Sequence, residues 1–271
     1  MEKRPHDDSE QFKHKWELWN RCLNSDDPHA IMTQILHMVW NYAVWSLINE
    51  ARGIGKPLPE GGVAHNWIVH NFIDICYFES QILAIRRLTD NYPLEGEMGV
   101  FSLSSLLRDL GNNVKLLTKE NIATVIKDFS SSHPILSNAN FGPQVFFSLR
   151  DKLHDTSANI IDRVNKFVAH ASSPESRKGF DVDEHEVTFR DVKEAIKLIC
   201  GITNLINVYF INGSEYLFFL PYLTSNHFSY LDVPLFTKSD FILAMKKWEE
   251  IVEESREWGS LDLSDIDLGI K

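Results

Sequence analysis

Leu149, Leu153, Ile160, Val164 and Phe167 return at intervals of three, four or seven. At about 100° per residue this spacing gathers all five into one stripe along a helix. The same period recurs along the chain, while the alternation of a half-buried strand is weak throughout. These patterns predict an all-α fold, a helical bundle.

Read in order, the first helix is expected from Ser9 to Asn24, with Trp16, Trp19 and Leu23 on one face. Asp27-Pro28 has the form of a helix start. The helix it opens carries Ile31, Ile35, Met38, Tyr42, Trp45 and Ile48 and stops near Arg52, at the breaker-rich GIGKPLPEGG. A third helix covers Asn66 to Asp90. Ser102 caps a short helix through Leu117, and Thr118 caps another, TKENIATVIKDF. Ser130 to Gly142 reads as a loop, and Pro143 starts the long helix bearing the apolar stripe. The polar ASSPESRKG follows His170. Thr188 with Asp191 has the form of a capping box, opening a helix to Phe210. Asn212 to Pro234 is aromatic-rich and irregular. Thr237 with Asp240 precedes a last helix to Trp258, and the tail GSLDLSDIDLGIK is acidic. No internal repeat is visible, and 1–271 is expected to form one α-helical domain.

Several classes of function recede. No apolar run approaches the roughly 18 residues of a membrane span, and MEKRPHDDSEQ has no hydrophobic signal core. The expectation is a cytoplasmic protein with no membrane partner. Cys22, Cys76 and Cys200 fall in apolar helical contexts and read as buried, reduced thiols. His65 and His70, five apart, fall on different helix faces, and neither HExxH nor CxxC occurs, so no metal and no cofactor are expected. Gly53-Ile54-Gly55-Lys56 lacks the spacing of a P-loop, and no Rossmann fingerprint or Gly-x-Ser-x-Gly elbow is present. The net charge of −11 argues against a general nucleic-acid coat but permits a small cationic site on an acidic body.

One stretch concentrates reactive groups. In DRVNKFVAHAS, Asp162 to Ser172, a regular helix brings Arg163 and His170 within about 20° of each other. Lys166 falls beside them, and Asn159 extends the stripe by one turn. Metal-free RNA cleavage requires deprotonation of the 2′-OH, stabilisation of the phosphorane and protonation of the leaving 5′-oxygen. A histidine titrates near neutrality and can move those protons. A guanidinium grips phosphate in bidentate fashion. DNA has no 2′-OH, so such a site selects RNA. The structural alternative is a helix edge where Arg163 pairs with Asp162 or Asp155.

RVNKFVAH resembles the signature of the HEPN superfamily, an arginine and a histidine separated by four to six residues; here six intervene. IRRLTD, Ile85 to Asp90, followed by SLSSLLRDL and then NKFVAHAS, looks like the AbiU-type abortive-infection group. The resemblance covers about 30–210 and leaves 212–271 as a C-terminal extension. It implies a HEPN-type bundle with extra N- and C-terminal helices, dimerising so that two motifs form one ribonuclease site. Arg163 and His170 would be catalytic, with Lys166, Asn165 and Asn159 binding substrate. Arg86, Arg87 and Asp90 are marked as signature residues, and an Arg–Asp pair there would fix the loop after the helix.

The chain departs from the pattern at Val164, where a polar residue is usual. On a regular helix Asn165 points about 140° away from His170, so it joins the site only if the helix is irregular. The first expectation is a metal-independent endoribonuclease, a homodimeric defence or toxin-like effector with RNA as substrate and an antitoxin or regulatory protein as a further partner. The second is a non-catalytic helical module binding RNA or protein through the same face. A third is a small-molecule sensor using the aromatic segment after Asn212.

Overall fold

The computed structural model describes residues 5–54, 67–126, 142–168 and 186–213, with a few isolated positions beyond. Packing divides the chain into two units, Met1–Leu220 and Pro221–Lys271. Every element below belongs to the first. The expected loop between Ser130 and Gly142, the stretch after His170, and the expected last helix and acidic tail lie outside the described residues, apart from Gly142 and isolated positions in that helix.

The fold is all-α. Its helices are α1 (Pro5–Asn24), α2 (Ile31–Ile54), α3 (Trp67–Leu88), α4 (Leu103–Asn112), α5 (Lys119–Ala123), α6 (Pro143–Arg163) and α7 (Phe189–Ile206). A 3₁₀ turn, Val114–Leu116, follows α4. Helices α6 and α7 each run on into a π turn, Val164–Val168 and Asn207–Ile211.

The caps follow the sequence. Ser102 accepts from the Ser105 amide, Thr118 from the Asn121 amide, and Thr188 and Asp191 close a reciprocal capping box. The start of α2 differs: Asp27 Oδ1 accepts from the His29 amide at 2.7 Å, which makes a turn, and the helix begins only at Ile31. The expected helix from Ser102 to Leu117 breaks at Asn112 and resumes as 3₁₀, and α5 ends at Ala123.

Helix α6 lies at the centre, against α3, α4 and α7. At Gly111 of α4 an added Cβ would stand 2.8 Å from the Phe147 ring of α6, so only glycine permits this approach. Helices α2 and α3 pair antiparallel. Gln81 donates to the Met38 carbonyl, Trp45 stacks on Tyr77 at 4.6 Å, and Arg52 reaches Asp74 at 2.9 Å. Helix α7 with its π turn, Phe189–Ile211, is long and apolar enough to cross a membrane by composition. Its apolar residues are core instead: Val192, Ala195, Ile199, Ile202 and Ile206 are all buried.

A second apolar surface is uncovered. On α2, Leu36, Trp40, Val44 and Leu47 are exposed; on α3, Ile68, Phe72 and Ile75 are, with Phe72 at 66%. Each set returns at three- and four-residue spacing, so the α2–α3 pair presents a continuous outward stripe. Cys76, expected to be buried, is exposed on this side of α3, while Cys22 is buried and Cys200 partly so. Burial pushes the Cys200 thiol up to about 12.

Candidate functional site

The helix carrying the reactive stretch changes pitch directly after Arg163. A π turn closes hydrogen bonds over five residues instead of four and so holds one residue more per turn. Val164 is fully buried, and Val168 packs next against the core. Phe167, which a regular helix would bury, is 36% exposed. The turn also redirects Asn165. Its Oδ1 accepts a 2.9 Å hydrogen bond from Arg86 Nε, tying the turn to the last turn of α3.

Arg86 also donates through Nη1 to the Asp90 carboxylate. Asp90 lies in the loop after α3, and its backbone carbonyl accepts from Ser102 Oγ at 2.5 Å and Ser105 Oγ at 3.1 Å. The signature arginine, its aspartate, the start of α4 and the π turn are thereby joined. The arginine paired with Asp90 is Arg86, four residues before it, while Arg87 is exposed.

Arg163, the last α-helical residue of α6, meets α3 about two turns earlier, at Phe78. Its guanidinium lies over the Phe78 ring, 5.8 Å from the centroid, and forms no ion pair among the described residues. It borders a cleft of about 360 Å³ between α3 and the start of α7. Asp74, Glu79 and Glu186 line this cleft with Ile75, Phe78 and Phe189. Asp74 is already engaged: Arg52 grips both its oxygens at 2.9 Å and Trp45 Nε1 donates to it at 2.8 Å. Trp45 also stacks on Phe189 at 4.7 Å, fixing the aromatic wall. Lys166 is half-buried within the π turn, and Asn159 is exposed one turn before Arg163. His170 lies outside the described residues. The alignment of Arg163, Lys166 and His170 rested on a uniform 100° step, which the π turn breaks.

Sequence reasoning missed His154. Its Nε2 shares a 2.8 Å hydrogen bond with Ser104 Oγ, a fully buried side chain on α4. Desolvation lowers the imidazole's pKa below the ordinary 6.5; the charges of Arg150 and Arg86 add to this, and Asp151 and Asp155 oppose it. One signal was available: His154 adjoins Leu153 of the apolar stripe and so belongs at the edge of a buried face. The unfolded chain binds this proton more readily than the folded one, so the fold is fully stable with respect to His154 above pH 6.5. That stability is lost as pH falls through the folded value. Urea unfolding at pH 7.5 and pH 5 should show an acid loss that shrinks in His154→Gln, whose amide can keep the bond to Ser104.

Among the described residues no cluster of three or more histidine, cysteine or carboxylate side chains is placed to hold a metal ion. Residues 29–231 match the family model HEPN_AbiU2, described as AbiU2, and the match runs past Phe210 through most of the aromatic segment. No curated protein and no solved structure matches the chain.

Proposed function

The chain belongs to the AbiU2 family of HEPN domains, and from that premise we propose that it is a metal-independent endoribonuclease of the abortive-infection type. The observation that carries this reading is Arg163, a guanidinium on an aromatic ring at the mouth of an open cleft, with no carboxylate partner among the described residues. An arginine in that state keeps its donor fork for a phosphate. His170 serves as general acid and base, and Arg163 stabilises the charge that builds on the phosphorane. Lys166 steers the RNA. Asn165, engaged by Arg86, holds the π turn in place.

The site is composite, built where two copies meet. Ile75 lines the Arg163 cleft and also belongs to the exposed stripe of α2 and α3. A partner docked on that stripe would bring its own motif towards this one. Apolar patches of this kind commonly mark interfaces. The double variant Trp40→Glu/Phe72→Glu should sediment as a monomer at concentrations where the wild type is a dimer, with its helical content unchanged.

The deciding experiment is cleavage of a labelled RNA pool in EDTA. Cleavage by the wild type and not by His170→Ala, leaving 2′,3′-cyclic phosphate ends, supports the reading. A folded dimer that binds RNA or a protein partner but never cuts would favour the second reading, a non-catalytic module. The acidity of the cleft around Arg163 speaks for that second reading.

A further inference from the structure

We propose that the cleft beside Arg163 is a nucleobase pocket that selects guanine next to the scissile phosphate. The inference rests on the reading of Arg163 as the phosphate-binding group and assigns the neighbouring side chains a task which that reading leaves open.

The cleft is lined in an unusual way for a site facing RNA. Its walls include Phe78 and Phe189, whose rings meet edge to face at 5.5 Å, and Phe189 is 41% exposed. Of its three carboxylates, Asp74 is neutralised by Arg52. Among the described residues Glu79 and Glu186 have neither an ion-pair nor a hydrogen-bond partner. They are unspent acceptors beside an aromatic surface.

A phosphate cannot be the group that enters. Two free carboxylates would repel it, with Arg163 the sole guanidinium on the cleft wall. A group that enters gains from being flat enough to lie on Phe189, free of negative charge and rich in donors. A nucleobase meets the first two conditions, since every base has a π-face that stacks on an aromatic side chain. Donor pattern then separates the four. Guanine presents N1–H and the N2 amino group side by side, and one carboxylate accepts from both. Adenine and cytosine set their amino group beside a ring nitrogen whose lone pair repels a carboxylate. Uracil flanks its N3–H with two carbonyls. A cavity of about 360 Å³ lies within the range of small-ligand sites. With the base inside, its phosphate stays at the rim, where Arg163 stands. Glu79 and Glu186 approach from α3 and from the segment entering α7, so between them they read the edge of a base lying on Phe189.

The test is titration of the full-length protein with GMP, AMP, CMP and UMP, followed by tryptophan fluorescence. Trp45 stacks on Phe189 and reports the pocket. The expected result is GMP binding about tenfold or more tighter than the other three, the discrimination of one bidentate contact. Glu79→Gln/Glu186→Gln should lose that margin while its circular dichroism and sedimentation match the wild type. Equal binding of all four, no binding, or a guanine preference that survives in the double variant overturns the proposal. Mapping the cut sites in the RNA pool separates it from the reading beneath it. Cleavage by the wild type without base preference sinks the pocket and leaves the nuclease; GMP selectivity without cleavage keeps the pocket and sinks the nuclease.

Discussion

Arg163→Ala is expected to slow RNA cleavage in EDTA about 10²–10³-fold, the usual cost of removing one preorganised donor from a developing negative charge. His170→Ala is expected to cost about 10²–10⁴-fold, the range for a positioned general acid or base. The two losses should not multiply, because on the proposed mechanism both groups act on one transition state. The double variant should therefore cut little more slowly than the worse single one. Arg163→Lys is the sharper comparison. An ammonium keeps the charge but not the planar fork, and it sits less well on the Phe78 face that holds the guanidinium. It should recover only part of the loss, and full recovery would show that Arg163 supplies charge alone. The measurement is single-turnover cleavage of one end-labelled RNA, with dimer content checked for each variant.

The largest expected effect on stability is at Trp19. The residue is fully buried in α1, and its Nε1 donates a 2.7 Å hydrogen bond to Asp109 Oδ2 on α4. Lys15 donates to the other oxygen of Asp109 at 3.2 Å. Trp19→Ala removes the largest fully buried side chain among the described residues and strands one carboxylate oxygen. Truncations of this kind cost about 3–5 kcal/mol, a large share of the roughly 5–15 kcal/mol that holds a domain together. Trp19→Phe keeps most of the ring and loses only the donor, so its cost should be nearer 1–3 kcal/mol. Urea unfolding of both variants reads the difference. A loss below about 1 kcal/mol for the alanine variant would mean that α1 contributes little to the fold. Helix α1 precedes the family match, which begins at residue 29, yet Phe12, Cys22 and Leu23 are as buried as any residue of the core.

Sequence periodicity reached the helices and most of their caps because those depend on neighbours within four residues. It could not reach the π turn. Val164 is followed by apolar residues at both 167 and 168, so three-residue and four-residue spacing are equally satisfied in the sequence. Packing alone decides that Val168 goes in and Phe167 out. The partner of Asp90 was open for a similar reason: Arg86 and Arg87 both stand within a turn of it, and the tertiary bond from Arg86 to Asn165 makes the choice. His154 was not singled out because its partner Ser104 is fifty residues away in the chain. The exposed stripe on α2 was hidden by abundance. That helix is apolar on two faces, Ile31, Ile35 and Met38 facing in and Leu36, Trp40 and Val44 facing out, so the pattern does not say which face meets the core.

The π turn gives the chain an allowance of length. A helix that already accommodates one surplus residue between Arg163 and Val168 can shed it and close as an ordinary α-helix, leaving the side chains upstream undisturbed. A one-residue deletion here should be absorbed within a single turn, without propagating into the packing of α6 on α3, α4 and α7. The spacing between Arg163 and the residues that follow Val168 can therefore change by one residue while the packing of α6 stays the same.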